Sequence, residues 1–364
     1  MRKLALLLIL LLLLTGCAAP APTPSETTES TQPPAEKLTV HFLDVGQADC
    51  ALLQYDGSAI LIDGGNVADS SLVVSYLEQQ GITALDLVVC SHAHEDHVGG
   101  LAGVLAVYET GSVWSPTTTY ASKCFDDFMY YADQQGIQVQ IPTPGDTFSM
   151  GDDVTVTVLG PTRSYAETNN TSLVLKVEYG EISFLFTGDM ETQAETDMLD
   201  YWEDRVDWNV DVLKVGHHGS DTSTGYRLLY ELSPAFGIIS VGAGNSYGHP
   251  HEVPLSRLED AEVTVYRTDE LGTILAVTDG ESLRFSWTGG GSESVIPEET
   301  EGTQAAPEPS GETEATQTYI GNLNSKKLHL PTCTSLPAEK NRVYFDSYDE
   351  AIAEGYTPCS RCMG

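Results

Sequence analysis

Basic residues are scarce in this chain. It carries 17 Lys and Arg against 53 Asp and Glu in 364 residues, a formal net charge of −36. That balance argues against tight passive binding to nucleic acid, because phosphate contacts rely on clustered Lys and Arg to release counterions. It does not exclude chemistry on a phosphodiester, since metal ions and a local basic edge can accept one against an acidic background. Long apolar runs are missing too. Leu4 to Leu14 is 11 residues, too short to cross a bilayer, and behind Arg2 and Lys3 it reads as the apolar region of a secretory signal. Without a spanning segment the chain is not expected to form a channel, and it contains no internal repeat. Two stretches lack the apolar bulk a fold needs. Ala18 to Glu36 is mostly Pro, Thr, Ser and Glu, and Gly289 to Thr318 has no aromatic or basic residue. Neither can build a core, so both read as solvated tethers. The expected division is signal 1–17, tether 18–37, core domain 38–288, acidic linker 289–318 and a terminal module 319–364.

What is present in the core is alternation. Apolar extended runs fall near 38–45, 51–62, 87–90, 154–159, 172–186, 210–215, 236–241, 262–267 and 273–287. Helical patterns fall near 68–80, 99–108, 122–136, 191–202, 222–232 and 254–260. This predicts an α/β domain with two sheets back to back and helices outside. The densest chemical feature is Ser91-His92-Ala93-His94-Glu95-Asp96-His97. Imidazole nitrogen and carboxylate oxygen suit zinc, manganese or iron. His92 and His94 point the same way from an extended segment, while Asp96 and His97 can turn to a second ion at the top of the following helix. The spacing therefore predicts two ions. Further candidates close apolar runs: Asp63 after Ala59 to Ile62, Asp189 after Ile182 to Phe186, and His217-His218 after Val210 to Val215. Polar groups at strand ends converge on one edge of a sandwich while the strands pack inside. Cys50, Cys90 and Cys124 show no ligand spacing, and the first two read as buried packing residues.

The run from Ser91 to His97 resembles the HxHxDH signature of the metallo-β-lactamase superfamily, over roughly residues 38–288. The resemblance implies an αββα sandwich, with Asp63 buried behind the histidine loop and Asp189 bridging two divalent ions, zinc or manganese. Within that superfamily, Val40-His41-Phe42-Leu43-Asp44-Val45-Gly46-Gln47-Ala48-Asp49 resembles the C-terminal hydrolase domain of the ComEC DNA-uptake family. So do Lys214-Val215-Gly216-His217-His218-Gly219-Ser220 and Asn245-Ser246-Tyr247-Gly248-His249-Pro250. The phosphorylcholine esterase of pneumococcal cell walls is a neighbour on the same plan. Carried over residue by residue, the resemblance gives His92 and His94 to the first ion and Asp96, His97 and one of His217 and His218 to the second. His218 is favoured as that ligand, leaving His217 for the substrate phosphate or leaving group, although the sequence does not decide the order. The implied reaction is attack of a metal-activated water, with Asp96, Asp189 and His217 as the catalytic set and no Ser or Cys nucleophile.

One departure concerns the first site. Where many members supply a third His, this chain reads Thr168-Asn169-Asn170-Thr171, so an Asn or a water fills that position, which favours a weaker ion or manganese. Asn170, Lys214 and His249 are further candidates for touching substrate. Lys214 either meets an anion or lays its stem across the sheet; His249 sits in a Gly/Pro-rich loop suited to a site rim, and His251 reads as an exposed loop residue. The implied substrate is extracellular DNA or a cell-wall phosphodiester, with competence or surface proteins as partners. Its rivals are a phosphorylcholine or teichoic-acid esterase and a binding lipoprotein that has lost activity.

Both ends carry their own signals. Leu14-Thr15-Gly16-Cys17 resembles a lipoprotein signal-peptidase site, which implies lipid on Cys17 and a protein held at the extracytoplasmic face of the membrane. The terminal module, about 45 residues long, is at the size where a fold needs a staple. His329 and Cys333 with Cys359-Ser360-Arg361-Cys362 predict a four-ligand structural zinc. The alternative is a disulfide between Cys359 and Cys362, or from Cys333 to either. The module resembles the zinc-binding module of Ada-type DNA-repair proteins, including Tyr344-Phe345-Asp346-Ser347 and the helix-like Ala351 to Gly355. His329 stands where that family has a Cys, which keeps a zinc site but argues against methyl-accepting chemistry.

Overall fold

The computed structural model describes residues 37–296, 319–322, 326–331, 333 and 342–363. Cys17, the signal, the first tether up to residue 36 and residues 297–318 lie outside these. Apolar and β-branched runs form β1 (Leu38–Phe42), β2 (Ala51–Tyr55), β3 (Ser58–Ile62), β4 (Ala84–Val89) and β5 (Glu109–Trp114). A second set follows: β6 (Thr147–Met150), β7 (Val154–Gly160), β8 (Val174–Tyr179), β9 (Ile182–Phe186), β10 (Val212–Lys214), β11 (Phe236–Ile239) and β12 (Thr264–Arg267). The chain then returns to the first set through β13 (Ile274–Thr278), β14 (Leu283–Trp287) and β15 (Gly291–Ile296). Two sheets result, in the orders β15-β14-β13-β1-β2-β3-β4-β5 and β12-β11-β10-β9-β8-β7-β6. Each contains a parallel block, β3-β4-β5 in one and β9-β10-β11-β12 in the other.

Alternation along the strands explains the layering. Val40 and Phe42 point inward and share a core with Val156, Leu175, Phe184 and Ile238 of the other sheet, and the rings of Phe42 and Phe186 stack at 5.8 Å. Burying each such side chain stabilises the fold by about 1.5–3 kcal/mol. The opposite faces carry helices. Leu52, Leu61 and Val88 pack beneath α1 (Ser70–Gln79), α2 (Glu95–Val98), α3 (Leu101–Val107) and α4 (Lys123–Gln134). Leu185, Leu213 and Ile239 pack beneath α5 (Thr192–Trp202), α6 (Tyr226–Leu232) and α7 (Glu252–Asp260), followed by the short α8 (Thr268–Leu271). The expected αββα sandwich is thus present.

The differences from the sequence reading have local causes. The runs 51–62, 172–186 and 273–287 are hairpins, because apolar periodicity continues through their turns. At the first turn Asp56 and Gly57 take φ of 47° and 75°, the left-handed pair that an Asp-Gly hairpin uses. β15 lies inside the stretch read as a linker. Its Gly/Ser/Glu composition hides a strand that pairs its backbone with β14. The terminal module forms a third sheet from β16 (Tyr319–Asn322), β17 (Lys327–His329), β18 (Arg342–Phe345) and β19 (Thr357–Pro358), with α9 (Tyr348–Ala353) and α10 (Ser360–Met363). Its core is Leu328, Phe345, Ala351 and Tyr356, too small to hold a fold without help. Among the described residues no helix is long and apolar enough to cross a membrane.

Candidate metal centre

The clustered polar residues stand at the carboxyl ends of the parallel strands. β3 runs into Asp63-Gly64-Gly65, β4 into Ser91 to His97, β9 into Asp189, β10 into the loop of His217 and His218, and β11 into Ser240 to Pro250. Leu173 N donates to Ser91 O at 2.8 Å and ties the two sheets together at this edge.

Asp63 is locked by its neighbours. Gly64 N donates to His97 O at 2.7 Å and Gly100 N to Gly65 O at 3.1 Å. A Cβ on Gly100 would lie 2.0 Å from Gly64 O, so only glycine lets these backbones touch. The Asp63 carboxylate accepts from Ser91 N and Ser91 Oγ, each at 2.7 Å, and holds His97 Nδ1 at 2.8 Å. His97 Nε2 is thereby aimed at Asp189 Oδ1, 3.2 Å away. His218 is aimed in the same manner. Its Nδ1 donates to Ser240 O at 3.0 Å, with Asp49 Oδ1 3.2 Å away, which leaves Nε2 facing Asp96 Oδ2 at 3.4 Å and Asp189 Oδ1 at 3.8 Å. An imidazole whose other nitrogen is held by a carbonyl or carboxylate is oriented as metal ligands are.

Asp96, His97, Asp189 and His218 bring one ligand atom each within 4.8 Å of one another. His97 Nε2, His218 Nε2 and Asp189 Oδ1 are buried without a hydrogen-bond partner. Buried polar atoms are almost always satisfied, and three orphans converging on one point fit the ligand set of a divalent cation. The electrostatics agree. Burial lowers His218, yet Asp189 and Asp49 overcome it and raise it to about 10; the cluster demands positive charge. The expected first site is looser. His92 Nε2 and His94 Nδ1 are 3.1 Å apart, and His92 Nε2 is 3.8 Å from Asp189 Oδ2. His217 Nε2 faces that same oxygen at 3.6 Å. The two adjacent histidines therefore sit on different oxygens of Asp189, because His217 and His218 both take left-handed backbone, φ 51° and 52°.

Two expected substrate contacts need correcting. Lys214 is 4% exposed and its Nζ is held by Asp49 Oδ2 at 2.8 Å and Val215 O at 3.0 Å; β10 is an interior strand, so the side chain points into the body and not at the cleft. Asn170 is also turned inward, accepting from Glu191 N at 3.1 Å. It is Asn169 that lines the cleft, and its Oδ1 has no hydrogen-bond partner. His249 does line the cleft; burial and then His217 and His218 lower it to about 4. His251 Nδ1 accepts from Asp221 N at 3.1 Å. Sequence reasoning missed Asp49, which braces His218 and Lys214 together. Burial pushes its carboxyl up, but Lys214 and His218 outweigh that and hold it well below the usual range.

The open cleft above this cluster is about 550 Å³, lined by Gln47, Asn66, His94, Glu95, Asp96, Asn169, Asp189, His217, His218, Tyr247 and His249. Among the described residues no Lys or Arg lines it. In the terminal module, His329, Cys333, Cys359 and Cys362 likewise bring ligand atoms within 4.8 Å of one another. His329 Nδ1 is 3.4 Å from Cys333 Sγ, and the cysteines are unbridged. That donor set fits zinc.

Two facing sheets that gather oriented imidazoles around a shared carboxylate at one edge define a metal-dependent hydrolase class. The chain belongs to the metallo-beta-lactamase superfamily: residues 43–242 match that family, and residues 311–363 match the metal binding domain of Ada. It is similar to ComE operon protein 3 of Bacillus subtilis, 32% identical over 65% of this chain and 32% of that protein. Recombination protein 2 of Haemophilus influenzae is 31% identical over 65% of this chain and 28% of that one. Competence protein ComA of Neisseria gonorrhoeae is 28% identical over 66% and 32%. The chain thus spans about a third or less of these relatives' lengths. Among solved structures, the metallo-beta-lactamase fold protein YhfI of Bacillus subtilis aligns at TM-score 0.42 and 13% identity, covering 63% of this chain and 96% of that one.

Proposed function

We propose that the chain is a metal-dependent phosphodiesterase that cleaves nucleic acid at the outer face of the membrane, anchored by lipid on Cys17. The observation that carries this reading is the divided carboxylate of Asp189, with Oδ1 turned to His97 and His218 and Oδ2 to His92 and His217. Two divalent ions, zinc or manganese, would supply an acidified water there and neutralise phosphoryl charge. His92 and His94 are assigned to the first ion, Asp96, His97 and His218 to the second, and Asp189 to both. His217 is partly open to the cleft and hydrogen-bonded through Nδ1 to Thr222 Oγ1 at 3.2 Å, which leaves Nε2 to meet the substrate phosphate or leaving group. Gln47 Nε2, 3.3 Å from His249 Nδ1, steadies the rim. The names of the competence- and recombination-related relatives support DNA as the substrate and competence proteins as partners.

A second reading has its own observation. The cleft, whose described lining holds no Lys or Arg, presents Glu95 and the 65% exposed Tyr247, which also suit a quaternary ammonium group, as a choline ester would present. The test takes the purified chain with zinc and with manganese and offers it single-stranded DNA, a chromogenic phosphodiester and a phosphorylcholine ester. DNA cleavage that Asp189→Asn lowers by more than about a hundredfold, beyond the effect of losing an outer partner of a ligand, supports the nuclease. Turnover of the small esters alone moves the assignment to the esterase, and metal binding with no turnover moves it to a binding lipoprotein.

A further inference from the structure

Among the described residues, the carboxylate of Glu262, in the turn between α7 and β12, joins the terminal module to the hydrolase body. Glu262 Oε1 accepts from Asn322 Nδ2 at 2.6 Å, and Glu262 Oε2 lies 3.4 Å from His329 Nε2. Both oxygens are therefore directed at the module. Asn322 is fully buried and donates in addition to Asp260 O at 3.2 Å. Lys327 Nζ lies 5.8 Å from the centroid of the Tyr230 ring on α6.

His329 thus stands between two unlike partners. Its Nδ1 is on the cysteine side, 3.4 Å from Cys333 Sγ, and its Nε2 is on the body side. A metal held at Nδ1 leaves the ring proton on Nε2, where it can only be donated outward. The group facing it, at ion-pair distance and with no formed hydrogen bond, is a partly buried carboxylate from another part of the chain. An acceptor in that place orients the ring and strengthens it as a ligand.

We propose that Glu262 is the outer partner of His329 in a zinc site of the module, so that zinc loading and docking of the module on the hydrolase body are one linked equilibrium. The inference rests on reading His329, Cys333, Cys359 and Cys362 as a zinc site. Linkage is reciprocal: whatever loosens docking must weaken zinc binding, and whatever removes zinc must loosen docking.

The test uses the full chain and the cobalt(II)–thiolate absorption, which reports the cysteine site alone, with zinc affinity measured by displacement of cobalt. Glu262→Gly removes the carboxylate and suits a residue whose φ is 65°, so a loss of affinity is not a loss of fold. Asn322→Ala loosens docking without touching a ligand. Both are expected to weaken zinc binding by about tenfold or more, and stripping zinc from the unaltered chain is expected to speed proteolytic release of the module. Wild-type affinity in both variants would overturn the coupling. Absence of the thiolate absorption in the unaltered chain would instead overturn the zinc site on which it rests.

Discussion

At the scale of single residues, the pair of Lys214 and Asp49 shows what a buried charge demands. Both side chains are under a tenth exposed, and each charge is compensated chiefly by the other. Asp49→Ala leaves an ammonium group buried alone, and the expected loss is about 3–5 kcal/mol, read from urea denaturation. The double variant Asp49→Ala with Lys214→Met should recover most of it, because an apolar pair of similar volume carries no such penalty. The pair also marks the limit of sequence reading. The ligand run from His92 to His97 was legible because imidazoles two and three positions apart carry their own signature. Asp189 and Asp63 were legible because each closes an apolar run. Asp49 follows a loop with no such sign, and its partners His218 and Lys214 are far along the chain. Lys214 read equally well as an anion contact, since one strand's pattern does not tell which face of an interior sheet it will be buried in. Asn169 and Asn170 could not be told apart without the turn that points one outward.

Among the elements, the loop after β10 is held in a costly shape by a helix beside it. Consecutive left-handed residues such as His217 and His218 cost about 1–3 kcal/mol each and persist only where their surroundings fix them. Glu195 of α5 supplies part of that hold: its carboxylate accepts from Thr224 N at 2.5 Å and Gly225 N at 2.9 Å. Burial pushes Glu195 up from 4.5 to about 7, against the pull of those two amides toward the ionised form. A folded-state value above the unfolded one means that its stabilising contribution is complete below the ordinary carboxylate range and is lost as pH rises through 7. Thermal unfolding of the native chain should therefore shift downward between about pH 5 and about pH 8, by up to roughly 3 kcal/mol in stability. Glu195→Gln, which cannot ionise, should show a flatter profile over that interval; equal slopes would remove the carboxylate from the account. Apart from β5 and β6, which no extended run read from the sequence covers, element types were well read wherever a strand or helix was amphipathic. Hairpin turns and β15 were not, the first because periodicity ran through them and the second because a strand held by backbone pairing needs no apolar signature.

For the whole molecule, the acidic balance and a cleft whose described lining holds no Lys or Arg make one prediction that separates this chain from ordinary nucleic-acid binders. A protein that neutralises several phosphates with Lys and Arg loses affinity steeply with salt. Here the contacts are assigned to metal-held groups, so the KM for a short single strand should change by less than about twofold between about 50 and 200 mM salt, and what change there is should be toward tighter binding. A steep loss would show a basic surface at work outside the cleft. The same feature bears on the length of what can be processed. Repulsion from the body grows with every additional phosphate lying along it, whereas attraction is confined to the few oxygens that reach the ions. Under the proposed reading, the protein works as a sieve that admits loose ends and short fragments and turns away long duplex, degrading debris while leaving intact genomes alone.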